Sequence, residues 1–351
     1  MDSSKPLKIL QQFGISGAGI ALENLTQGYI NDTFRVHTPK GDGFVVQRIN
    51  PAVFPKPELL MANLEVVLPL LEAPGYHGLK LQQNTEGRTS VKDSDGSLWR
   101  VFRYIPHSAS YSKAGTLEMA REAGRIVAAF HILVSPLKPD SLQVPLPGFH
   151  DIHLRVTQLE AAISGASVQR RQKCTALIAQ AEALYAFCRQ IPLDALPLRV
   201  CHNDTKLSNI LFDTRSGKAL CLIDLDTLMP GHLLYDFGDA ARGLIPALSE
   251  NRKSQKPADP DLKQFEAFVQ GWRDSGLSMQ PLEIKWLCHG VALMPALHGI
   301  RALTDYLCGD RYYKVAYPEQ NRDRAGELLQ TAQTAQKALG AMQEIVNNLW
   351  P

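Results

Sequence analysis

The segment from Val200 to Asp239, V-C-H-N-D-T-K-L-S-N-I-L-F-D-T-R-S-G-K-A-L-C-L-I-D-L-D-T-L-M-P-G-H-L-L-Y-D-F-G-D, gathers side chains that together could move a phosphoryl group. Asp204 and Asn209 stand five positions apart in a polar turn, and the apolar run Leu220 to Ile223 ends on Asp224 at a spacing that suits a short hairpin. Phosphoryl transfer needs an acceptor oxygen aimed in line, a carboxylate to take its proton late, and hard oxygen ligands for Mg²⁺. Asp204 follows a strand-like run, Leu196 to Cys201, that would hold it rigidly as the proton acceptor. Asn209 offers a neutral oxygen to the cation and Asp224 a charged one, while His202 is placed to orient the loop by hydrogen bonding.

H-N-D-T-K-L-S-N followed by I-D-L-D resembles the H-x-D-x-x-x-x-N and I-D signatures of the aminoglycoside phosphotransferase and choline kinase superfamily, relatives of the protein kinases. Asp236, twelve residues after Asp224, matches a later aspartate of that superfamily. Further segments, G-Y-I-N-D-T-F, V-V-Q-R-I-N, D-L-D-T-L-M-P-G and G-I-R-A-L-T-D-Y-L, are most similar to the N-acetylhexosamine 1-kinase group and spread the likeness over residues 28 to about 307. The resemblance implies an α+β, bilobal protein-kinase-like fold, with a small β-rich N-lobe over residues 1–105 and a larger, mostly helical C-lobe over 106–351. It implies ATP and Mg²⁺ as cofactors, Asp204 as catalytic base, and Asn209 with Asp224 as metal ligands. Asp226 and Asp236 are expected to support the metal site or to offer alternative ligands.

The elements that must position these groups follow from pattern. Glu23 to Leu25, Phe34 to His37 and Phe44 to Ile49 have the alternation or β-branched content of strands, with P-K-G-D-G as a turn between the last two. The loop Gly28 to Thr33 permits close backbone approach at its glycine and can be ordered by Asn31, Asp32 and Thr33. In the kinase-like reading it covers the nucleotide phosphates, and Arg48 in the next strand holds the α- and β-phosphates with a permanently charged fork. A helix from Pro57 to Leu71, with an apolar stripe of leucines and Val67, is expected to carry the acidic partner of Arg48. Glu65 is favoured for that role by its separation, with Glu58 near the helix start as the alternative. Leu79 to Gln83 and Leu98 to Ile105 read as further strands, the second leading to a hinge at Arg103-Tyr104-Ile105-Pro106, where the backbone of Tyr104 and Ile105 would pair with an adenine edge. Helical patterns follow at 115–132, 154–190, 259–275, 281–308 and 321–348, with a polar loop at 249–261.

Acceptor candidates cluster near residue 300. Arg301, Asp305 and Tyr306 fall on a helix pattern, and Tyr312 and Tyr313 follow. Arginine with tyrosines suits a neutral sugar, through a planar fork, phenol hydroxyls and an aromatic face. Arg301 and Tyr312 are the expected contacts, with Tyr29 facing the acceptor from the phosphate loop, while Asp305 with Arg301 also fits a helix-bracing pair. The expected activity is transfer from ATP to a sugar hydroxyl, above all the anomeric hydroxyl of an N-acetylhexosamine. Kinases of choline, homoserine, methylthioribose or an aminoglycoside, and a non-catalytic nucleotide-binding pseudokinase, stand as alternatives.

Bulk properties narrow the classes. A formal charge of +2 with 21% charged residues leaves no basic stripe for nucleic acid and no polybasic tail for a membrane. The beginning M-D-S-S-K-P-L-K lacks a leader's apolar core and no window approaches about 18 apolar residues, so a cytoplasmic location is expected. The six cysteines lie apart with no C-x-x-C pair and read as reduced, mostly buried thiols.

Overall fold

The computed structural model describes residues 4–25, 30–39, 41, 43–244, 262–313 and 315–350. Tyr29, the glycine of the phosphate loop, parts of the P-K-G-D-G turn and the polar segment 249–261 lie outside these residues.

Helix α1 (Ser4–Gln12) precedes strands β1 (Ala21–Asn24), β2 (Asp32–His37) and β3 (Gly43–Arg48), then α2 (Pro57–Val67), β4 (Ser90–Lys92) and β5 (Leu98–Arg103). The five strands form one antiparallel sheet in the order β1-β2-β3-β5-β4. Period-2 alternation gives the sheet two distinct faces. On one, Val36, Val46, Trp99 and Val101 pack beneath Ile9 and Leu10 of α1 and Phe13 just after it. On the other, Ile49, Leu98 and Phe102 join Leu60, Leu64 and Val67 of α2 in a core that continues into the helical lobe. Pro69 ends α2 early, and the last turn tightens into a 3₁₀ segment, Leu68–Leu70.

The helical lobe begins after the two-residue strand β6 (Ser108–Ala109). It comprises α3 (Leu117–Val134), α4 (Ile152–Gly165), α5 (Val168–Lys173), α6 (Thr175–Cys188), the strands β7 (Arg199–Cys201), β8 (Ile210–Asp213), β9 (Ala219–Leu222) and β10 (Met229–Gly231), and then α7 (Leu233–Ala241). Helices α8 (Lys263–Asp274), α9 (Pro281–Trp286), α10 (His289–Leu307), α11 (Gln320–Lys337) and α12 (Leu339–Leu349) complete it. Strands β8 and β9 form the expected hairpin, joined at its edge by β6, and β7 pairs with β10. Glycines set how closely two helix pairs approach. A Cβ at Gly238 of α7 would lie 2.2 Å from the backbone of Gly290 in α10, and one at Gly290 would lie 1.9 Å from the Leu234 carbonyl. Helices α3 and α8 meet in the same way at Gly124 and Gly271.

The β-rich then helical order agrees with expectation, and four details do not. Helix α1 falls in a stretch read as strand-rich; Leu79–Gln83 contributes only a single bridge, Leu81 to Phe102; β4 lies instead at Ser90–Lys92; and the pattern 154–190 is broken into three helices. Ser167 caps the second of them with its side chain, which a continuous periodicity conceals. No helix among the described residues is long and apolar enough to cross a membrane.

Candidate active site

The loop between β7 and β8 holds Asp204 in place through its neighbours. His202 is fully buried; its Nε2 donates to the Ile223 carbonyl at 2.9 Å and its Nδ1 accepts the Asp204 N–H at 3.2 Å, which fixes the tautomer. Asn203 sits in the left-handed region, φ 63°, a conformation asparagine tolerates better than most residues. Its amide donates to the carbonyls of Cys201, Thr227 and Met229. Asp236, at the start of α7 and completely buried, accepts the backbone N–H groups of His202 at 2.8 Å and Asn203 at 2.7 Å. His131 of α3 sets its Nε2 3.0 Å from the same carboxylate. Asp236 therefore braces the loop from below, with both of its oxygens already engaged there.

Asp204 itself receives two donors on Oδ2, the Lys206 ammonium at 2.5 Å and the Asn209 amide at 2.9 Å. Asn209 also donates to the Asp204 carbonyl at 2.8 Å, so its amide nitrogen is spent inside the loop and its carbonyl oxygen is the end left to a cation. Against the pull of burial, the charges of Asp204 and Asp224 hold the Lys206 ammonium above its ordinary range. Asp224 follows β9 in the left-handed region, φ 63°. By area its carboxyl is exposed, because it opens onto the cleft, although protein surrounds it closely. That surrounding protein, and then the charge of Asp226, push the Asp224 carboxyl up to about 6. Asp204, Asn209 and Asp224 thus come together as a crowded oxygen donor set, the chemistry a hard divalent cation fits.

The profile of the phosphotransferase enzyme family matches residues 21–277. The chain belongs to this family. Among solved structures, a microcompartment-associated aminopropanol kinase is similar at 17% identity and TM-score 0.65, covering 97% of this chain and 99% of that one. A choline kinase from Cryptosporidium parvum is similar at 15% identity and TM-score 0.59 over 100% of both chains. An aminoglycoside phosphotransferase from Alicyclobacillus acidocaldarius is similar at 15% identity and TM-score 0.60, over 98% and 96%. At such identities the likeness shows the fold, which is protein-kinase-like in its β-rich and helical lobes.

For this member of the phosphotransferase family the sheet requires a correction. Arg48 and Glu65 do not meet. Arg48 shares its face with Val46, beneath α1, and its guanidinium pairs with Asp32 at 2.5 Å; Glu65 is exposed and accepts from Thr89. Glu58 is likewise exposed and pairs with Lys92 at 2.7 Å. On the inner face the corresponding positions are Gln47 and Arg100, directly opposite one another in the register. Arg100 is 1% exposed, donates Nε and Nη2 to Gln47 Oε1, and lies 2.6 Å from Asp226 Oδ1. Asn31 donates to the other oxygen of Asp226 at 2.6 Å and accepts the Asn50 N–H. From α2 it is Asn63, not a glutamate, that turns inward, bonding Gln143 and the Leu228 carbonyl. Asp226 thus straps the two lobes together.

The remaining expected contacts fall as follows. Thr33 begins β2 with Asp32, and its hydroxyl accepts from Gln47. At the hinge the Tyr104 N–H is spent on the Gly43 carbonyl and the Ile105 carbonyl accepts the Ser108 hydroxyl. Among the described residues the Tyr104 carbonyl and the Ile105 N–H form no backbone hydrogen bond, so the expected adenine contact would fall to them. Arg301 lies over the Phe149 ring at 4.8 Å and donates to the Tyr312 hydroxyl at 3.4 Å. Asp305 does not pair with Arg301; it accepts the N–H groups of Arg311, Tyr312 and Tyr313 and so shapes the turn that carries Tyr312. A groove of about 910 Å³ between α9 and α12, bordered by His289 and Trp350, shares no residue with this site.

Lys206, Arg100 and Gln47 were not singled out from sequence. Lys206 stands inside the central motif, two positions past Asp204, where its charge was itself a signal. Arg100 and Gln47 carried none without knowledge of α1, because that helix decides which face of the sheet is turned away from the cleft.

Proposed function

We propose that this phosphotransferase carries the γ-phosphoryl group of ATP to a hydroxyl of a neutral sugar, above all the anomeric hydroxyl of an N-acetylhexosamine, giving ADP and the sugar 1-phosphate. The observation that supports this most is the meeting of Asp204, Lys206, Asn209 and Asp224 at one point. Lys206 and Asn209 occupy Asp204 Oδ2, so Oδ1 is the oxygen for the acceptor hydroxyl; it orients that hydroxyl and takes its proton as the bond to phosphorus forms. The Asn209 carbonyl and Asp224 would hold Mg²⁺. When bound, that ion neutralises charge on the nucleotide phosphates. Lys206, released from Asp204 as the proton arrives there, offers its ammonium to the transferring oxygens. The loop around residues 28–33 covers the nucleotide phosphates through its backbone, since the side chains of Asn31, Asp32 and Thr33 bond to protein. Arg301 and Tyr312 face the acceptor, with Tyr29 from the phosphate loop. The reaction is confined to small molecules and calls for neither nucleic acid nor membrane.

Solved structures of the same fold include a spectinomycin phosphotransferase with ADP and spectinomycin and an amicoumacin kinase with AMP-PNP, which supports the nucleotide half of the reading. The test is ADP release from Mg·ATP with N-acetylglucosamine, N-acetylgalactosamine, glucose, choline, homoserine and kanamycin, with Asp204→Asn as control. Transfer to the acetylated sugars that falls by roughly three orders of magnitude or more in the variant is expected. Near-native turnover in Asp204→Asn would refute the role of Asp204, and nucleotide binding without transfer to any acceptor would favour a pseudokinase.

A further inference from the structure

The helical lobe holds a buried polar cluster that no step above uses. Asp239, three residues past Asp236 on α7, is 1% exposed. Its Oδ1 takes Arg242 Nε at 2.7 Å and lies 3.4 Å from His298 Nε2, while no described residue bonds its Oδ2. His150, 6% exposed, sits with its ring 6.2 Å from that of His298 and 4.9 Å from that of Tyr235, and neither of its nitrogens has a partner among the described residues. Buried polar atoms left unbonded cost about 1–3 kcal/mol each. Three of them at neighbouring side chains call for a ligand that bonds them.

This cluster adjoins the transfer site. The charge of Asp204 is felt at Arg242 and that of Asp239 at Lys206. On its other side stands Arg301, whose charge is felt at both His150 and His298. The cluster thus lies between the transfer site and Arg301.

The chemistry of the cluster selects the molecule. Arg242 already neutralises Asp239, Arg301 stands beside His150 and His298, and Arg155 stands beside Arg301. Burial, followed by the charge of Arg301, depresses Arg155. Burial, followed by the influence of His298, keeps the His150 imidazole neutral. A cationic acceptor meets an excess of positive charge here. The free oxygen of Asp239 requires a donor, and neutral His150 presents one donor and one acceptor, so the complementary groups are hydroxyls, which do both. We infer that Asp239, held by Arg242 and His298, forms with His150 a specificity subsite that binds two neighbouring hydroxyls of a neutral sugar ring, remote from the hydroxyl on Asp204. The inference rests on the sugar-kinase reading and deepens it by naming the residues that choose the acceptor.

The test crosses protein variants with deoxy analogues. Phosphotransfer kinetics and acceptor calorimetry are measured for N-acetylglucosamine, its 3-, 4- and 6-deoxy analogues, and choline, using the wild type, Asp239→Asn and His150→Phe. The wild type is expected to reject one ring-deoxy analogue by about 100-fold in kcat/KM. The variants should lose a comparable factor on the parent sugar, chiefly in KM, and no longer distinguish that analogue. His150→Phe breaks no hydrogen bond among the described residues and carries the test if Asp239→Asn does not fold. Discrimination among the analogues that is the same in both variants as in the wild type would overturn the subsite alone. Transfer to choline in preference to every neutral sugar would overturn the subsite and the sugar reading together.

Discussion

The strap between the lobes makes a quantitative claim about stability. Arg100 and Asp226 are 1% and 3% exposed in their side chains and 2.6 Å apart, with Gln47 Oε1 bonding Arg100 Nε and Nη2 and Asn31 bonding the second oxygen of Asp226. Removing one member of such a pair leaves a buried charge uncompensated, at a cost of about 3–5 kcal/mol. Arg100→Met and Asp226→Leu should each cost that much. If the losses were independent, the double variant would lose about 6–10 kcal/mol. With both charges gone, however, only the Gln47 and Asn31 amides are left without partners, at about 1–2 kcal/mol each. The double variant should therefore lose only about 2–4 kcal/mol, a coupling on the order of 4 kcal/mol. Urea or thermal denaturation of the four proteins completes the cycle, with near-ultraviolet circular dichroism to confirm a native fold. Losses that add to within about 0.5 kcal/mol would show that the two charges do not depend on one another, and the account of the strap would fail.

Arg48→Gln should leave the KM for ATP within about twofold of the wild type, because the side chain it replaces lies under α1; a tenfold rise in steady-state kinetics would restore Arg48 to the phosphates. In the metal-free protein the raised carboxyl of Asp224 means that the folded state binds its proton more tightly than the unfolded chain. The resulting penalty is in full force above pH 6 and vanishes toward pH 4. Asp224→Asn should thus stabilise the apoprotein at pH 8 by about 1 kcal/mol after allowing for screening by cleft water, lose that gain toward pH 4, and abolish transfer, as melting curves across pH would record. Native protein should yield one thiol, Cys308, to Ellman's reagent at pH 8, since burial pushes Cys188, Cys221 and Cys288 up to about 12 and encloses Cys174 and Cys201; all six should react in denaturant. Asp236→Ala should lower kcat by at least about tenfold without a matching change in KM for ATP, because it frees the backbone of His202 and Asn203 rather than a substrate contact.

The catalytic loop was legible in sequence because its chemistry is local. Asp204, Lys206 and Asn209 are bonded within six residues, and Asp224 follows from a hairpin whose strands are short apolar runs. The sheet was legible as strands but not as faces. Phe44, Val46 and Arg48 alternate with Val45, Gln47 and Ile49, and each set has a buried member in Val46 or Ile49, so the inner set is decided by what packs above. Helix α1 makes that decision, and its mostly polar sequence S-K-P-L-K-I-L-Q-Q carries little sign of it. The proposed acceptor subsite was hidden for a different reason: His150, Asp239 and His298 come from segments about 60 to 90 residues apart, and only the packing of α10 against α7 and α4 joins them.

The glycine crossing of α7 and α10 has a practical meaning for anyone who would retarget the enzyme. The first helix carries the brace of the catalytic loop and the second carries His298 and Arg301, and they touch backbone to backbone with no side chain between them to trim or enlarge. Widening the proposed acceptor pocket by tilting either helix would drag the Asp204 loop with it. The adjustable parts are those borne on connections, Phe149 ahead of α4 and Tyr312 after α10, which can be exchanged while the chemistry stays in register. A library confined to that rim should return new acceptors, and one spread over the helix crossing should return inactive protein.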